Sequence, residues 1–329
     1  MRPFVAPGDD GVDDGAGPPP GGVQLVDALM APLSVPRHPL RLARYGMTGL
    51  QPASWVARRR FATDAGGGML AGLAAHSVVP LSRPITTGMG TMLGALAHIW
   101  GWPIAEGGSQ AIADALVSLL RAHGGDVVCD HPVTDLRQVP SSRVVLADVT
   151  PGQLLAMAGD RVPGRIRRSL RRFRHGPGVF KIDYALCEPV PWTDPEVRKA
   201  GTVHVGGTAA EVATSEAAMF AGRHAERPFV LAAQPTIVDP SRAPAGRHVL
   251  LAYCHVPSGS DVDMTTAIED QIERFAPGFR DVVIARHVRD APGHERYNAN
   301  YVGGDISAGV VDLRQFVARP RLSLHPWKV

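Results

Sequence analysis

The chain has 329 residues, of which 45% are hydrophobic and 20% charged, and a formal net charge of +3. That apolar content excludes a chain disordered throughout, and the length suffices for two lobes with a sizeable core. Three cysteines, Cys129, Cys187 and Cys254, are too few and too scattered for a disulfide framework or a zinc site. Each reads as a small buried hydrophobe in a reducing compartment, and no metal site is expected. Among the 34 basic residues only Lys181, Lys199 and Lys328 are lysine. With the many Ala, Gly and Val residues, this arginine bias reflects a GC-rich coding sequence, and no nucleic-acid partner is expected.

Residues 1–22 combine Pro, Gly and Asp with almost no apolar content, the composition of a disordered tail. No apolar run follows Arg2, so a secretory signal is not expected and the chain reads as cytoplasmic. From Val23 to His98 the pattern is helical but broken by Pro and Gly, with Leu25, Val26, Leu29 and Met30, then Met69, Leu70, Leu73 and Ala74, at helical spacing. Pro84 to Ala105 is 22 residues without an acid, Lys or Arg, long enough to span a membrane. Its two prolines and four glycines predict instead a buried, irregular helix.

The most legible unit runs from Trp102 to Val133 as loop, helix, turn and strand. Ser109 is the expected N-cap; Ile112, Leu116, Leu119 and Leu120 form the apolar stripe; Gly124 and Gly125 end the helix. Strands are expected over Asp126–Val133 and Arg143–Val149. Pro151 to Arg174 reads as helical, with Ile166, Leu170 and Phe173 on one face and arginines on the other. This basic face, Arg161–Arg174, suits a solvated surface or peripheral contact with an anionic membrane. Strands follow at Val179–Leu186, Thr202–Val205, Phe229–Ala233 and His248–His255, and helices at Glu211–Phe220 and Met264–Phe275. Helices and strands mix without a βαβ rhythm, so the fold class is α/β or mixed α+β.

Motifs that would name a chemistry are mostly missing. Gly88, Gly90 and Gly94 make a weak dinucleotide fingerprint, preceded by prolines that argue against a central strand. No phosphate loop, no nucleophile elbow and no H-E-x-x-H occurs. Two glycine segments stand out. Glu106-Gly107-Gly108 lies at a helix N-terminus, where free backbone N–H groups suit an anion or a polar cofactor edge. Asn298 to Asp305, with Gly303 and Gly304, after the apolar run Val282 to Ile284, suits a loop lining a ligand cavity.

With their surroundings, these segments resemble a known family. The motifs are W-P-x-x-E-G-G-S-Q (Trp102–Gln110), G-P-G-V-F-K-I-D-Y-A-L (Gly176–Leu186), P-V-P-W (Pro189–Trp192) and A-G-T-V-H (Ala200–His204). They continue with D-P-S-R-A-P-A-G (Asp239–Gly246), E-R-F-A-P-G-F (Glu273–Phe279) and N-Y-V-G-G-D-I (Asn300–Ile306). In this order they resemble the phytoene desaturase-like FAD-dependent oxidoreductases of the amine-oxidase flavoprotein superfamily. The resemblance implies a Rossmann-like FAD-binding lobe and an inserted substrate lobe of mixed sheet and helices. It implies hydride transfer between flavin and a small, largely apolar organic substrate. It places Glu106, Gly107 and Gly108 beside the flavin, Val133 against the adenine and Gly303-Gly304 at the cofactor. Lys181 takes the part of the lysine that holds a water near the flavin in related amine oxidases.

The sequence also departs from that family, because no G-x-G-x-x-G βαβ unit opens it and no glycine-rich closing strand and helix follow. The expected architecture is therefore an incomplete FAD-binding lobe, truncated at both ends. It comprises a tail (1–22), a helical part of the substrate lobe (23–99), a remnant of the FAD lobe (100–150), the substrate lobe (151–285) and a return to the FAD lobe (286–329). The alternative is a catalytically dead fragment that binds a partner or a membrane surface. Oligomeric state is not legible.

Overall fold

The computed structural model describes residues 38–312 and 314–315. The expected tail, the apolar spacing of Leu25 to Met30 and the stretch from Ala318 onward lie outside the described residues. Two units divide the chain, Met1–Arg44 and Tyr45–Val329. In the first, the described residues enter helix α1 (Pro39–Gly49).

The second unit is built on one sheet. Strands β1 (Gly178–Leu186), β2 (Thr202–Val205), β3 (Val230–Ala233), β4 (His248–Val256) and β5 (Val283–Arg289) lie in the order β2-β3-β4-β1-β5. Every pairing is antiparallel, so the mixed sheet expected from the resemblance is not formed among the described residues. Four of these strands match the expected ones within a residue or two. β5 was legible only as a short apolar run, because the rest of it, Ala285 to Arg289, is mostly exposed and polar.

Residue alternation decides what each face does. Phe180, Ile182, Tyr184 and Leu186 of β1 point to one side, with Leu250, Ala252, Cys254 and Val256 of β4 and Val230 and Ala232 of β3 beside them. They bury against Trp192, Met264, Phe279 and, from helix α9 (Thr265–Glu273), Ile268 and Ile272. At this core's edge the buried Glu269 carboxylate meets Arg280 and Arg286.

Helices α2 (Ala53–Arg60), α3 (Asp64–Ala75), α4 (Thr86–Trp100) and α8 (Ala209–Phe220) form a second cluster. Its core is small: Ala53, Ala71, Ala74, Ala75, Leu81 and Val212 pack with Phe229, next to β3. α8 starts in a capping box, in which Thr208 Oγ1 accepts from the Glu211 N–H and Glu211 accepts from the Thr208 N–H. α4 corrects the expectation of a buried irregular helix. It is a regular helix of 15 residues with Met92, Leu96 and Ile99 exposed. No described helix is long and apolar enough to cross a membrane.

The largest correction falls in residues 100–150. Helix α5 (Gln110–Ala122) forms as expected, but Ser109 before it has helical dihedrals and its side chain accepts no capping N–H. None of its residues is buried, and Leu116 is 63% exposed. The strands expected at 126–133 and 143–149 do not form; Val128 is 75% and Leu146 92% exposed. A strand exists only against a neighbour that takes its N–H and C=O groups, and an amphipathic helix needs an apolar face to cover it. The described residues supply neither, so they contain no Rossmann-like lobe. Cys129, in this segment, is exposed rather than buried, and Cys187 is half-buried.

Farther on, α6 (Pro151–Ala158) and α7 (Gly164–Leu170) match the expected helical stretch, with Ile166 and Leu170 buried and most arginines outward.

Trp192 closes the sheet core, its Nε1 donating to Gln234 Oε1 at 3.1 Å, while Gln234 Nε2 donates to the Ala200 carbonyl at 2.6 Å. Trp192→Phe is expected to lose about 2–3 kcal/mol of stability, because it opens a cavity and strands a buried amide oxygen. Urea unfolding of wild type and variant measures this.

Candidate functional site

The second face of the sheet carries polar side chains in register. His204 lies opposite Leu231, Leu231 opposite Tyr253, Tyr253 opposite Lys181 and Lys181 opposite Arg289. One row thus crosses all five strands. Lys181 Nζ is held by Asp183 Oδ2, two residues along the same face, at 2.8 Å. At the β1–β5 end stands His294 of helix α10 (Ala291–Tyr297), buried, with an Nε2 that has no hydrogen-bond partner among the described residues. Burial first, then the cations Arg289 and Lys181, push its pKa down to about 4.

At the β2–β3 end the face is covered by helices and holds a histidine cluster. His204 Nε2 lies 2.9 Å from His76 Nε2, at the end of α3. Phe229 stands between His204 and His255, with ring centroids 5.5 and 6.0 Å away. His255 Nδ1 lies 2.9 Å from the carboxylate of Glu216, which projects from α8 and is 0% exposed. Burial, and secondarily His76, lower the pKa of His204 to about 4; burial, then His255, lower that of His76. Both rings are therefore neutral at pH 7. Burial, then Glu216, push Tyr253 up to about 12.

A cavity of about 470 Å³ opens beside this cluster, between α3, α4 and the β2–α8 turn. Among the described residues no three His, Cys, Asp or Glu side chains are grouped to hold a metal ion.

The residues expected at a flavin are placed otherwise. Glu106 is exposed. The Gly107 N–H donates to Asp239 Oδ2 at 2.9 Å, and a Cβ on Gly108 would stand 3.3 Å from the Arg242 guanidinium. The E-G-G segment thus docks on the D-P-S-R segment, joining two of the recognised motifs. Val133 is half-buried in a segment that forms no strand. Gly303 and Gly304 have positive φ and pack on Ser258 and Ala291. The next residue, Asp305, is buried and accepts the N–H groups of Gly176, Ser307 and Gly309 at 2.6–2.8 Å. Gly107, Gly108, Gly303, Gly304 and Asp305 are thus taken up by the chain's own packing, Glu106 and Val133 converge with none of them, and the described residues by themselves do not build a site that fits FAD.

His204 belongs to a recognised motif, but neither its role nor His76, Glu216, His255 or His294 was singled out from the sequence. Each lies alone in an apolar or helical context, and only the packing of α3 and α8 on the sheet brings His204, His76, Glu216 and His255 together.

No protein-family model matches the chain. It is similar to "Pyridine nucleotide-disulfide oxidoreductase domain-containing protein 2" of Mus musculus, 26% identical over 329 residues, covering 85% of this chain and 55% of that protein. The protein of the same name from Rattus norvegicus is 26% identical over 297 residues, covering 75% and 50%. The chain spans about half the length of these curated relatives. The likeness is to oxidoreductase-domain proteins in general and does not single out the phytoene desaturase-like branch. Among solved structures, an oxidoreductase from Methanosarcina mazei aligns with a TM-score of 0.49 at 14% identity, over 78% of this chain and 62% of that one. A putrescine oxidase redesigned in its cofactor binding aligns with a TM-score of 0.47 at 16% identity, over 86% and 66%. Both are too distant to carry an argument about chemistry.

The depressed pKa of His204 has a stability consequence. Between its ordinary value of 6.5 and about 4 the unfolded chain binds the proton that the folded chain refuses. Its contribution is complete above pH 6.5 and is lost as pH falls towards 4. Acidification from pH 7 to 4.5 is expected to cost about 2–3 kcal/mol through this group. His204→Gln should flatten that slope relative to wild type; parallel pH–stability curves in urea unfolding would refute the assignment.

Proposed function

We propose that the chain forms the substrate-side lobe of a cytoplasmic FAD-dependent oxidoreductase of the desaturase or dehydrogenase type. One observation carries the reading: the second face of the sheet sets His204 at the wall of an apolar cavity, in a row that continues across the sheet to Tyr253 and Lys181. A few polar groups on a largely apolar floor are what orients an organic substrate. The similarity to oxidoreductase-domain proteins supports the same class. FAD, when bound, supplies hydride acceptance or delivery. In this reading it is held mainly outside the described residues, because these leave the apolar side chains of residues 100–150 uncovered and the chain spans about half of each relative. Lys181, oriented by Asp183, is a positioning residue on the substrate face.

Incubated with FAD and desalted, the chain is expected to elute colourless. Yellow flavin retained at one per chain would show that these residues hold the cofactor after all. A chimaera adding the part of the mouse relative that this chain does not cover is expected to retain FAD. A chimaera folded by circular dichroism yet colourless would count against the oxidoreductase reading.

A second reading has its own observation. Arg165, Arg168, Arg171 and Arg172 project from α7 and the turn after it without an ion pair among the described residues. This face suits peripheral contact with an anionic membrane, each arginine contributing about 1 kcal/mol near the surface. Sedimentation with phosphatidylserine vesicles is expected, and is expected to be lost in high salt and when the four are changed to serine. Equal sedimentation with phosphatidylcholine alone would remove this reading.

A further inference from the structure

The cavity beside the histidine cluster has the size of a small-molecule site, ~300–1,000 Å³. Met69 and Leu73 of α3 and Phe229 supply apolar wall, and among the described residues the polar side chains lining it are His98 and His204. His98 is exposed. His204 is therefore the hydrogen-bonding group of the interior.

What it presents to a ligand follows from its partner. One proton lies between His204 Nε2 and His76 Nε2. When His204 accepts there, its own proton sits on Nδ1, which becomes a donor. When it donates there, Nδ1 is a bare acceptor. Nδ1 makes no hydrogen bond among the described residues. The ring packs on Gly72 of α3, where a Cβ would stand 3.1 Å from Nδ1, too close for a side chain to fit without displacement. Gly72 therefore puts no side chain between the ring and the cavity that both residues line. A hydroxyl both gives and takes a hydrogen bond, so it answers either tautomer; a carbonyl answers one alone.

We propose that this cavity binds an uncharged, apolar molecule carrying a hydroxyl group. The hydroxyl bonds to His204 Nδ1 from the cavity, and the hydrocarbon lies against Met69, Leu73 and Phe229. Burial keeps the histidine pair neutral, so a carboxylate head finds no counter-charge there. The proposal deepens the preceding reading, on which it rests only in calling the ligand a substrate.

The test uses the full chain, 1-octanol as probe and octanoate as its charged counterpart. Binding is read from histidine imidazole ¹⁵N shifts and from relaxation of the ligand's own protons. Octanol is expected to shift the His204 and His76 resonances saturably, with octanoate at least about tenfold weaker. His204→Phe is expected to weaken octanol roughly tenfold, ~1.4 kcal/mol. Gly94→Phe should abolish binding, because Gly94 lines the cavity from α4 and a Cβ there meets only Leu73, at an ordinary 3.5 Å. The absence of saturable shifts, octanoate binding as tightly as octanol, or affinity unchanged in either variant would overturn the proposal. Octanol binding beside a folded, colourless chimaera would leave this site standing and remove the oxidoreductase reading. A yellow chimaera without octanol binding would do the reverse.

Discussion

The register of β1 is the constraint on which the rest of this structure depends. Its residues alternate between a core that admits Phe180, Ile182, Tyr184 and Leu186 and a face that carries Lys181 and Asp183. A slip of one residue would drive a lysine and an aspartate into the apolar layer and expose four large hydrophobes, at a cost of many kcal/mol. Because β1 pairs with both β4 and β5, it also fixes where Tyr253 and Arg289 stand. Through β4 and β3 the same register reaches His204 at the far edge. The candidate site is thus the by-product of burying the opposite face correctly.

Burial separates the two ends of that polar row. At the β2–β3 end, α3 and α8 seal the face, and His76, His204, His255 and Glu216 satisfy one another in pairs. A buried carboxylate is tolerable there because the His255 imidazole takes it up. At the β1–β5 end the face stays half-open. Lys181 finds a local carboxylate, while the buried Nε2 of His294 has none. A covered end with neutral histidines favours uncharged ligands, and an open end with Lys181 and Arg289 tolerates charge.

Strands with strict alternation, such as Val179–Leu186 and His248–His255, were legible in the sequence because one face of each is dry. So were α5, α8 and α9, whose ends and spacing carry local signals. What could not be read is what depends on contact across long separations. His76 and His204 are 128 residues apart, and Glu216 and His255 are 39 apart; no spacing links them. The glycine segments misled for a related reason. A glycine demanded by close backbone approach looks the same whether the neighbour is a cofactor or the chain itself. Gly304 sits against Ala291, and Gly107 gives its N–H to Asp239.

Residues 100–150 show the opposite failure, and it is informative. Local pattern predicted both a helix and two strands, and only the helix formed. A helix closes its hydrogen bonds within itself, whereas a strand borrows them from a neighbour. The same segment leaves the apolar stripe of α5 uncovered. Sequence pattern and surroundings therefore disagree here and agree in the sheet unit from Gly178 onward. That contrast separates a lobe whose packing partners are among the described residues from one whose partners are not. In the sheet unit the large apolar side chains bury against one another among the described residues, whereas those of residues 100–150 find no such cover there.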